Sequence, residues 1–298
     1  LLGYLVRRLL ENGANTSFLN ILSDDTIPIN RIVRDPVARI QALPNKRHPR
    51  IPLPRDIYGF WQNSQGIDLA NRAEFSYLNE QLRIPKEGWR ATSIINGKDI
   101  IGKETRATTA PHDKELVLGK VSSADHETIE LAIQSAWEAK ASWASVPVEE
   151  RARTLERAAE LLQANLSKLV CLLTFEGGRY LSDAIYEVRE AIEFCRYYAY
   201  RARIDLAEVT LPGPTGELNT YALHPRGLVA SISPWNFPLA IFTGQIVAAL
   251  VTGNTVIAIK IKNLKAGLEN GVLFACNPHS AQGSPTMATM LGVIGLGR

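Results

Sequence analysis

Three long runs carry apolar residues at spacings of three and four with charges opposite: Ala124 to Ser142, Val148 to Glu176 and Leu181 to Ala207. That period is helical, so each run predicts an amphipathic helix with one face turned to a core. Pro147 ahead of Glu149 and Glu150 gives the second run a well-formed start, with proline in the entry and acids at the positive end of the dipole. Gly177 and Gly178 predict its end. Past Pro212 the period changes. Leu218 to Leu223 alternates as strands do, and Leu228 to Ser233 is a short apolar run between Pro225 and Pro234, the pattern of a buried parallel strand. Leu239 to Leu250 carries no charge and predicts a helix. Thr255 to Ile259, after Gly253 and Asn254, predicts a second apolar strand. Strand, helix and strand on short links predict a βαβ unit, the building block of doubly wound nucleotide-binding sheets.

The chain opens differently. Leu1 to Asn20 reads as an amphipathic helix halted near Asn12 and Gly13, because Asn-Gly favours conformations that end helices. From Asp24 to about Leu82, Pro28, Pro36, Pro44, Pro49, Pro52 and Pro54 interrupt any long helix. This predicts a connector, with short helices such as Ile29 to Leu43 and no core of its own. A start inside a helix, with no leading Met, is expected of a piece of a longer parent.

Composition narrows the function classes. The 298 residues are 46% hydrophobic and 21% charged, typical of globular proteins. The net charge of +3 is dispersed, with no basic block suited to phosphates, so nucleic acid is not an expected partner. Cys171, Cys195 and Cys276 lie far apart without a CxxC pair, and the first two fall in apolar helical patterns that predict buried, reduced thiols. No metal site is indicated. No apolar run of about 18 residues is free of polar interruption, so no transmembrane segment is expected. A reducing, cytoplasmic setting is the expectation.

Candidate chemistry begins with Tyr4, Arg7, Arg8 and Glu11. On a helix Tyr4, Arg7 or Arg8, and Glu11 share a face, so two guanidinium groups can converge near an aromatic ring and a carboxylate. Arginine's planar fork suits a carboxylate ligand. The same spacing describes a solvated charged face, and spacing alone favours that plainer reading. The second constellation is GLVASISPWNFP, residues 227–238: a buried strand, a loop with Pro234, Trp235 and Asn236, and a helix expected to begin at Pro238. Ligands of open α/β sheets lie beyond the carboxyl ends of the strands, so this loop stands where a dinucleotide would lie. Read alone, Trp235, Phe237 and the prolines also suit core packing, and Asn236 is a common turn residue.

Both constellations resemble known families. YLVRRLLENGANTSF is similar to the last barrel helix of the proline dehydrogenase region in the bifunctional proline utilization A family, and IPLPRDIYG, residues 51–59, resembles that family's connector. The resemblance implies that Tyr4, Arg7 and Arg8 bind the substrate proline, the arginines taking its carboxylate. The parent would carry FAD; this chain supplies neither the rest of the barrel nor the flavin pocket. PWNFP resembles the aldehyde dehydrogenase superfamily, in which this asparagine donates its side-chain amide to the oxyanion formed when a cysteine attacks the aldehyde. By that likeness Asn236 is catalytic, a preplaced amide of the kind worth about 3 kcal/mol in comparable oxyanion holes. Ser233, Pro234 and Trp235 would border the nicotinamide ribose of NAD. The lysine that binds the adenosine ribose in that family corresponds to Lys260, which in GNTVIAIKIKN stands one residue late and lacks the usual following proline. EVREAIEFCRYYAYRAR, residues 187–203, resembles the proline-pathway branch, and EGGRYLSDA, residues 176–184, loosely resembles the family's EAGK segment.

The expected architecture is therefore α/β: a partial aldehyde dehydrogenase cofactor-binding, Rossmann-like domain with a long helical segment, preceded by the last helix of a proline dehydrogenase barrel and a Pro-rich connector. The divisions are 1–23 for the barrel end, 24–82 for the connector, 83–258 for the aldehyde dehydrogenase part and 259–298 for an unassigned tail. In that tail Cys276, near His279 in LFACNPHS, lacks the family's flanking glycines and serines, and GVIGLGR lacks the GxGxxG spacing. The parent reaction implied is NAD-dependent oxidation of glutamate semialdehyde to glutamate, coupled to proline oxidation in a homo-oligomeric parent. This chain alone is expected to be inactive. Two other readings stay open: a noncatalytic assembly module with a vestigial nucleotide loop, and an aldehyde dehydrogenase of other substrate range.

Overall fold

The computed structural model describes residues 2–13, 18–234, 236–260 and 272–276, with the backbone alone at Lys260 and at 272–276. The chain divides into two units, Leu1–Leu53 and Pro54–Arg298.

Among its described residues the smaller unit holds four helices, α1 (Leu2–Gly13), α2 (Phe18–Leu22), α3 (Ile29–Ile32) and α4 (Pro36–Gln41). The first ends at the predicted Asn-Gly. Pro36 opens α4, where the Asp35 carboxylate accepts from the Val37 amide at 2.9 Å. No described residue of this unit is buried, and Leu2, Leu5, Val6, Leu9 and Leu10 are all exposed. After α2 the helices of this unit are short, and Pro36 stands at the start of one of them.

The larger unit begins with α5 (Arg72–Gln81), followed by five strands: β1 (Trp89–Ala91), β2 (Ser93–Ile95), β3 (Lys98–Ile100), β4 (Thr105–Thr109) and β5 (Val117–Ser122). Helices α6 (His126–Ala144), α7 (Val148–Ala164), α8 (Leu166–Phe175) and α9 (Leu181–Asp205) come next. The hairpin β6 (Val209–Leu211) and β7 (Asn219–Tyr221), then β8 (Leu228–Ser233), α10 (Ala240–Val251), β9 (Thr255–Lys260) and β10 (Val272–Cys276) complete the described chain. The predicted βαβ unit is present: β8 and β9 pair in parallel, joined by α10. They belong to a five-stranded sheet in the order β3-β2-β10-β9-β8. That sheet is mixed, because β10 runs antiparallel to β9 and β3 antiparallel to β2.

Alternation along β9 explains the layering. Val256 and Ala258 join the large core with α7, α8, α9 and α10, while Ile257, between them, packs against Ala132 and Ala136 of α6. The sheet is thereby covered on both faces. Ile94 and Ile95 of β2 divide between the same two clusters.

Several elements differ from the sequence reading. The run predicted as one helix from Val148 to Glu176 is two helices meeting at 69°. Asn165 stands at the break, where its backbone amide and its side-chain amide both donate to Leu161 O, at 3.0 and 2.9 Å. A short polar side chain that satisfies the last-turn carbonyl competes with helix continuation. Helix α6 begins two residues later than predicted because Asp125 caps it, its carboxylate accepting from the Thr128 amide at 2.9 Å. Strands β1 to β5 carry no sequence prediction. Their clearest signal is Asn96-Gly97, both at positive φ (54° and 73°), the two-residue turn that joins β2 to β3. Gly119 allows β1 to pair closely with β5 in parallel, since a Cβ there would lie 1.9 Å from Trp89 O.

The connector region also has more structure than its prolines predict. Gln65 and Gln163 of α7 exchange bonds, Gln65 N to Oε1 at 2.7 Å and Nε2 to Gln65 O at 3.2 Å. On α9, Glu193 accepts from Trp61 Nε1 at 2.9 Å and from the Ser64 amide, and Arg196 donates to Gln62 O at 2.6 Å. The 61–65 run is therefore fastened to two helices of the larger unit.

Beneath the βαβ unit lies Arg151, a buried cation on α7. Its Nε donates to Val251 O at 2.9 Å, and Nη1 donates to Val146 O and, at 3.4 Å, to Ala144 O. One guanidinium thus satisfies carbonyls at the ends of α10 and α6, groups that have no partner within their own helices. Asn254 completes the join: its Oδ1 accepts from Arg226 N at 2.7 Å and Gly227 N at 2.9 Å, fixing the start of β8 beside that of β9. Replacing Arg151 by Ala leaves these buried carbonyls without a donor, at roughly 1–3 kcal/mol for an unsatisfied group. Arg151→Ala is expected to lower the free energy of unfolding by about 3 kcal/mol, read from urea midpoints at constant m-value; an unchanged midpoint would assign the join elsewhere.

Candidate active-site loop

Residues 234–239 lead from the carboxyl end of β8 to α10, at the end of the sheet where α/β proteins bind ligands. Burial alternates into the loop: Ser231 and Ser233 are buried, Ile232 between them is exposed. Ser233 Oγ donates to Gln245 Oε1 at 3.0 Å, so its hydroxyl is turned to α10. Pro234 is half-buried and Asn236 is exposed. Among the described residues, Asn236 is held through its backbone carbonyl, which accepts from Arg179 Nη2. Trp235 lies outside the described residues. Lys260 ends β9 in register with Ser233, which brings the two strand ends together; its side chain lies outside the described residues.

The helix after the loop begins at Ala240, two residues beyond the predicted Pro238. The cause is a carboxylate that the sequence reading did not single out. Glu187 of α9 is buried, and its Oε1 accepts from Leu239 N at 2.8 Å and Ala240 N at 3.3 Å. These are the amides that open α10, so a side chain from another helix acts as its cap. Arg179 Nε lies 2.6 Å from Glu187 Oε2, an ion pair whose angle falls short of a hydrogen bond. The same guanidinium sits over the Phe237 ring, 4.8 Å from its centroid.

Local sequence explains both placements. Helix α9 buries Ala184, Ile185, Val188, Ala191, Ile192 and Cys195, and Glu187 falls inside that stripe. Gly178, at φ 66°, turns the chain after α8, and the Arg179 amide returns to Leu173 O at 3.2 Å. The detectable signal was a single acid on the apolar face of a long helix, a residue type that is seldom buried without a partner. Burial pushes the Glu187 carboxyl up, while the Leu239 amide, the Arg179 charge and the Ala240 amide pull it back, leaving it above its ordinary value.

Burial acts on two thiols in the same direction. Cys171 and Cys195 are buried, and burial raises them to about 11 and about 12. Cys276 falls on β10, its side chain outside the described residues. In the smaller unit, Arg7 and Arg8 of α1 converge on one carboxylate, Arg7 Nε to Glu11 Oε1 at 2.9 Å and Arg8 Nη1 to Glu11 Oε2 at 3.6 Å, with Tyr4 exposed on the same helix.

A strand-loop-helix of this build, within a two-sided α/β sheet, has clear relatives. The profile of the aldehyde dehydrogenase family matches residues 101–266, more than half of the chain, and the chain belongs to that family. Among characterised relatives it is 41% identical over 266 residues to the bifunctional protein PutA of Escherichia coli, covering 87% of this chain and 19% of that protein. It is 32% identical over 228 residues to the 1-pyrroline-5-carboxylate dehydrogenase of Staphylococcus epidermidis, covering 72% of this chain and 44% of that one. Among solved structures, proline utilization A from Bdellovibrio bacteriovorus superposes with a TM-score of 0.73 at 30% identity, over 92% of this chain and 29% of that one. A Thermus 1-pyrroline-5-carboxylate dehydrogenase with bound NAD gives 0.62 at 32% identity, over 71% of this chain and 40% of that one. The chain thus spans about a fifth of the length of the bifunctional relative and under half of each single-activity one.

Two outcomes are expected here. Because the folded chain holds the Glu187 proton more tightly than the unfolded chain, this group makes stability fall as pH rises from about 4.5 through the raised folded value. Glu187→Gln is expected to remove that fall when urea midpoints are compared from pH 4 to 8; a retained slope would assign the titration to another group. Cys171 and Cys195 are expected to resist iodoacetamide at pH 8 in the native chain and to alkylate in urea, as peptide mapping would register.

Proposed function

We propose that the chain forms part of an NAD-dependent dehydrogenase that oxidises glutamate semialdehyde to glutamate, within a longer protein that also oxidises proline with FAD. The observation that carries this reading is the exposed Asn236, on a loop at the carboxyl end of a parallel strand, anchored through its backbone so that its side-chain amide is available. The family relationship and the likeness to PutA and to 1-pyrroline-5-carboxylate dehydrogenases support this choice of substrate.

The residues fit the nicotinamide end of a dinucleotide at this loop. The anion-binding start of α10 is already filled by Glu187, so a pyrophosphate has no place on those two amides. The loop is left for a ribose and ring, and Pro234 offers an apolar edge beside Asn236. NAD, when bound, accepts the hydride. In this reading Asn236 donates its amide to the oxygen that becomes negative when a thiolate attacks the aldehyde, a contribution of about 3 kcal/mol to the barrier. Lys260, aligned with Ser233 at the neighbouring strand end, serves the adenosine ribose. The organisation proposed keeps a barrel end at 1–23, a connector at 24–82, dehydrogenase at 83–258 and an unassigned tail at 259–298. In the first of these Tyr4, Arg7 and Arg8 would meet proline once the rest of a barrel is present.

The chain by itself is proposed to bind rather than to oxidise. Cys171 and Cys195 are buried and raised far above neutrality, so neither furnishes a thiolate, and Cys276 lacks the family's flanks. Calorimetric titration with NAD is expected to give saturable binding, with no NADH formed on adding glutamate semialdehyde. A folded chain that takes up no NAD would instead favour an assembly module with a vestigial loop. Joined to the carboxyl half of a relative, the chain should prefer glutamate semialdehyde over simple aliphatic aldehydes; equal turnover would broaden the substrate range.

A further inference from the structure

We infer that Arg179 is a positioning residue that preforms the nicotinamide side of the loop before any ligand arrives; the inference rests on the dehydrogenase reading above. Three contacts from one guanidinium carry it. Its Nε pairs with Glu187 Oε2 at 2.6 Å, its Nη2 donates to Asn236 O, and its Cζ lies over the Phe237 ring, 4.8 Å from the centroid. Through Glu187 the same group reaches the Leu239 and Ala240 amides that begin α10. Both the Asn236 peptide and the start of the next helix are thus fixed to one buried pair, whose side chains are 18% and 1% exposed. A loop tied at both ends has fewer conformations to lose on binding, which is the physical content of preorganisation. Arginine is suited to this because its fork offers separate donors to a carboxylate and a carbonyl at once, whereas a lysine ammonium is a point charge.

The dinucleotide has two ends, and this device acts on only one. The three contacts named for Arg179 go to Glu187, Asn236 and Phe237, none of them on β9. Loss of Arg179 should therefore weaken NAD while sparing a ligand that has only the adenosine end. The test titrates the full chain with NAD and with AMP by calorimetry, for wild type, Arg179→Ala and Arg179→Lys, with circular dichroism and thermal midpoints on the same samples. The expected result is a roughly tenfold weaker NAD affinity in Arg179→Ala, the scale of one charge-assisted hydrogen bond, with AMP unchanged. Arg179→Lys, which keeps the charge opposite Glu187 but loses the fork, should show a smaller loss confined to NAD. Equal weakening of both ligands, or none, overturns the positioning role while leaving the dehydrogenase reading intact. Should Arg179→Ala fail to fold, the lysine variant decides by the same comparison. A wild-type chain that does not bind NAD sinks the underlying reading, and the inference with it.

Discussion

The carboxylate of Glu187 is the fixed point of this structure. A buried charge survives only when paired and hydrogen-bonded, and here the partners come from two directions: the opening amides of α10 and the guanidinium of Arg179. Each partner constrains a different piece of chain. The amides set where α10 begins, and therefore where β8 must hand over to the loop. The guanidinium, already placed by the glycine turn after α8, reaches across to the Asn236 carbonyl. Remove the carboxylate and the other groups lose their reason to meet.

The other end of the same βαβ unit is closed by a buried charge of opposite sign. Arg151 gathers carbonyls from the ends of α10 and α6, and Asn254 couples the beginnings of β8 and β9. Helix α10 is uncharged along its length; Glu187 of α9 accepts from its opening amides, and at its far end Arg151 of α7 joins the neighbouring Thr252 and Asn254 in satisfying the last carbonyls. Its opening amides are satisfied from another element, which ties the candidate loop to the whole core.

Much of this was legible in the sequence, for a stated reason. Long helices with a continuous apolar stripe, and short apolar runs between prolines, are signals carried by the residues themselves, so the βαβ unit and the helical segment were readable. PWNFP was readable because several unusual residue types fall together. What was not readable depends on contacts distant in sequence. Asn165 breaks a helix pattern that periodicity alone continues, and β1 to β5 are short strands whose register is set by crossing neighbours; only Asn96-Gly97 announced them. Glu187 looked like one more acid on a charged helix, because its partners are 8 residues earlier and about 50 later, with the Leu239 and Ala240 separations being 52 and 53.

Helix α9 bears Glu187 near the loop and, six residues on, Glu193 against the 61–65 run. At about 1.5 Å per residue the two acids sit roughly 9 Å apart on one rigid rod. The 61–65 run is thus held by the helix whose Glu187 caps α10 and pairs with Arg179, the residue that holds the Asn236 carbonyl. Both attachments ride on one continuous helix, so a displacement of α9 along its axis would carry Glu187 and Glu193 by the same amount.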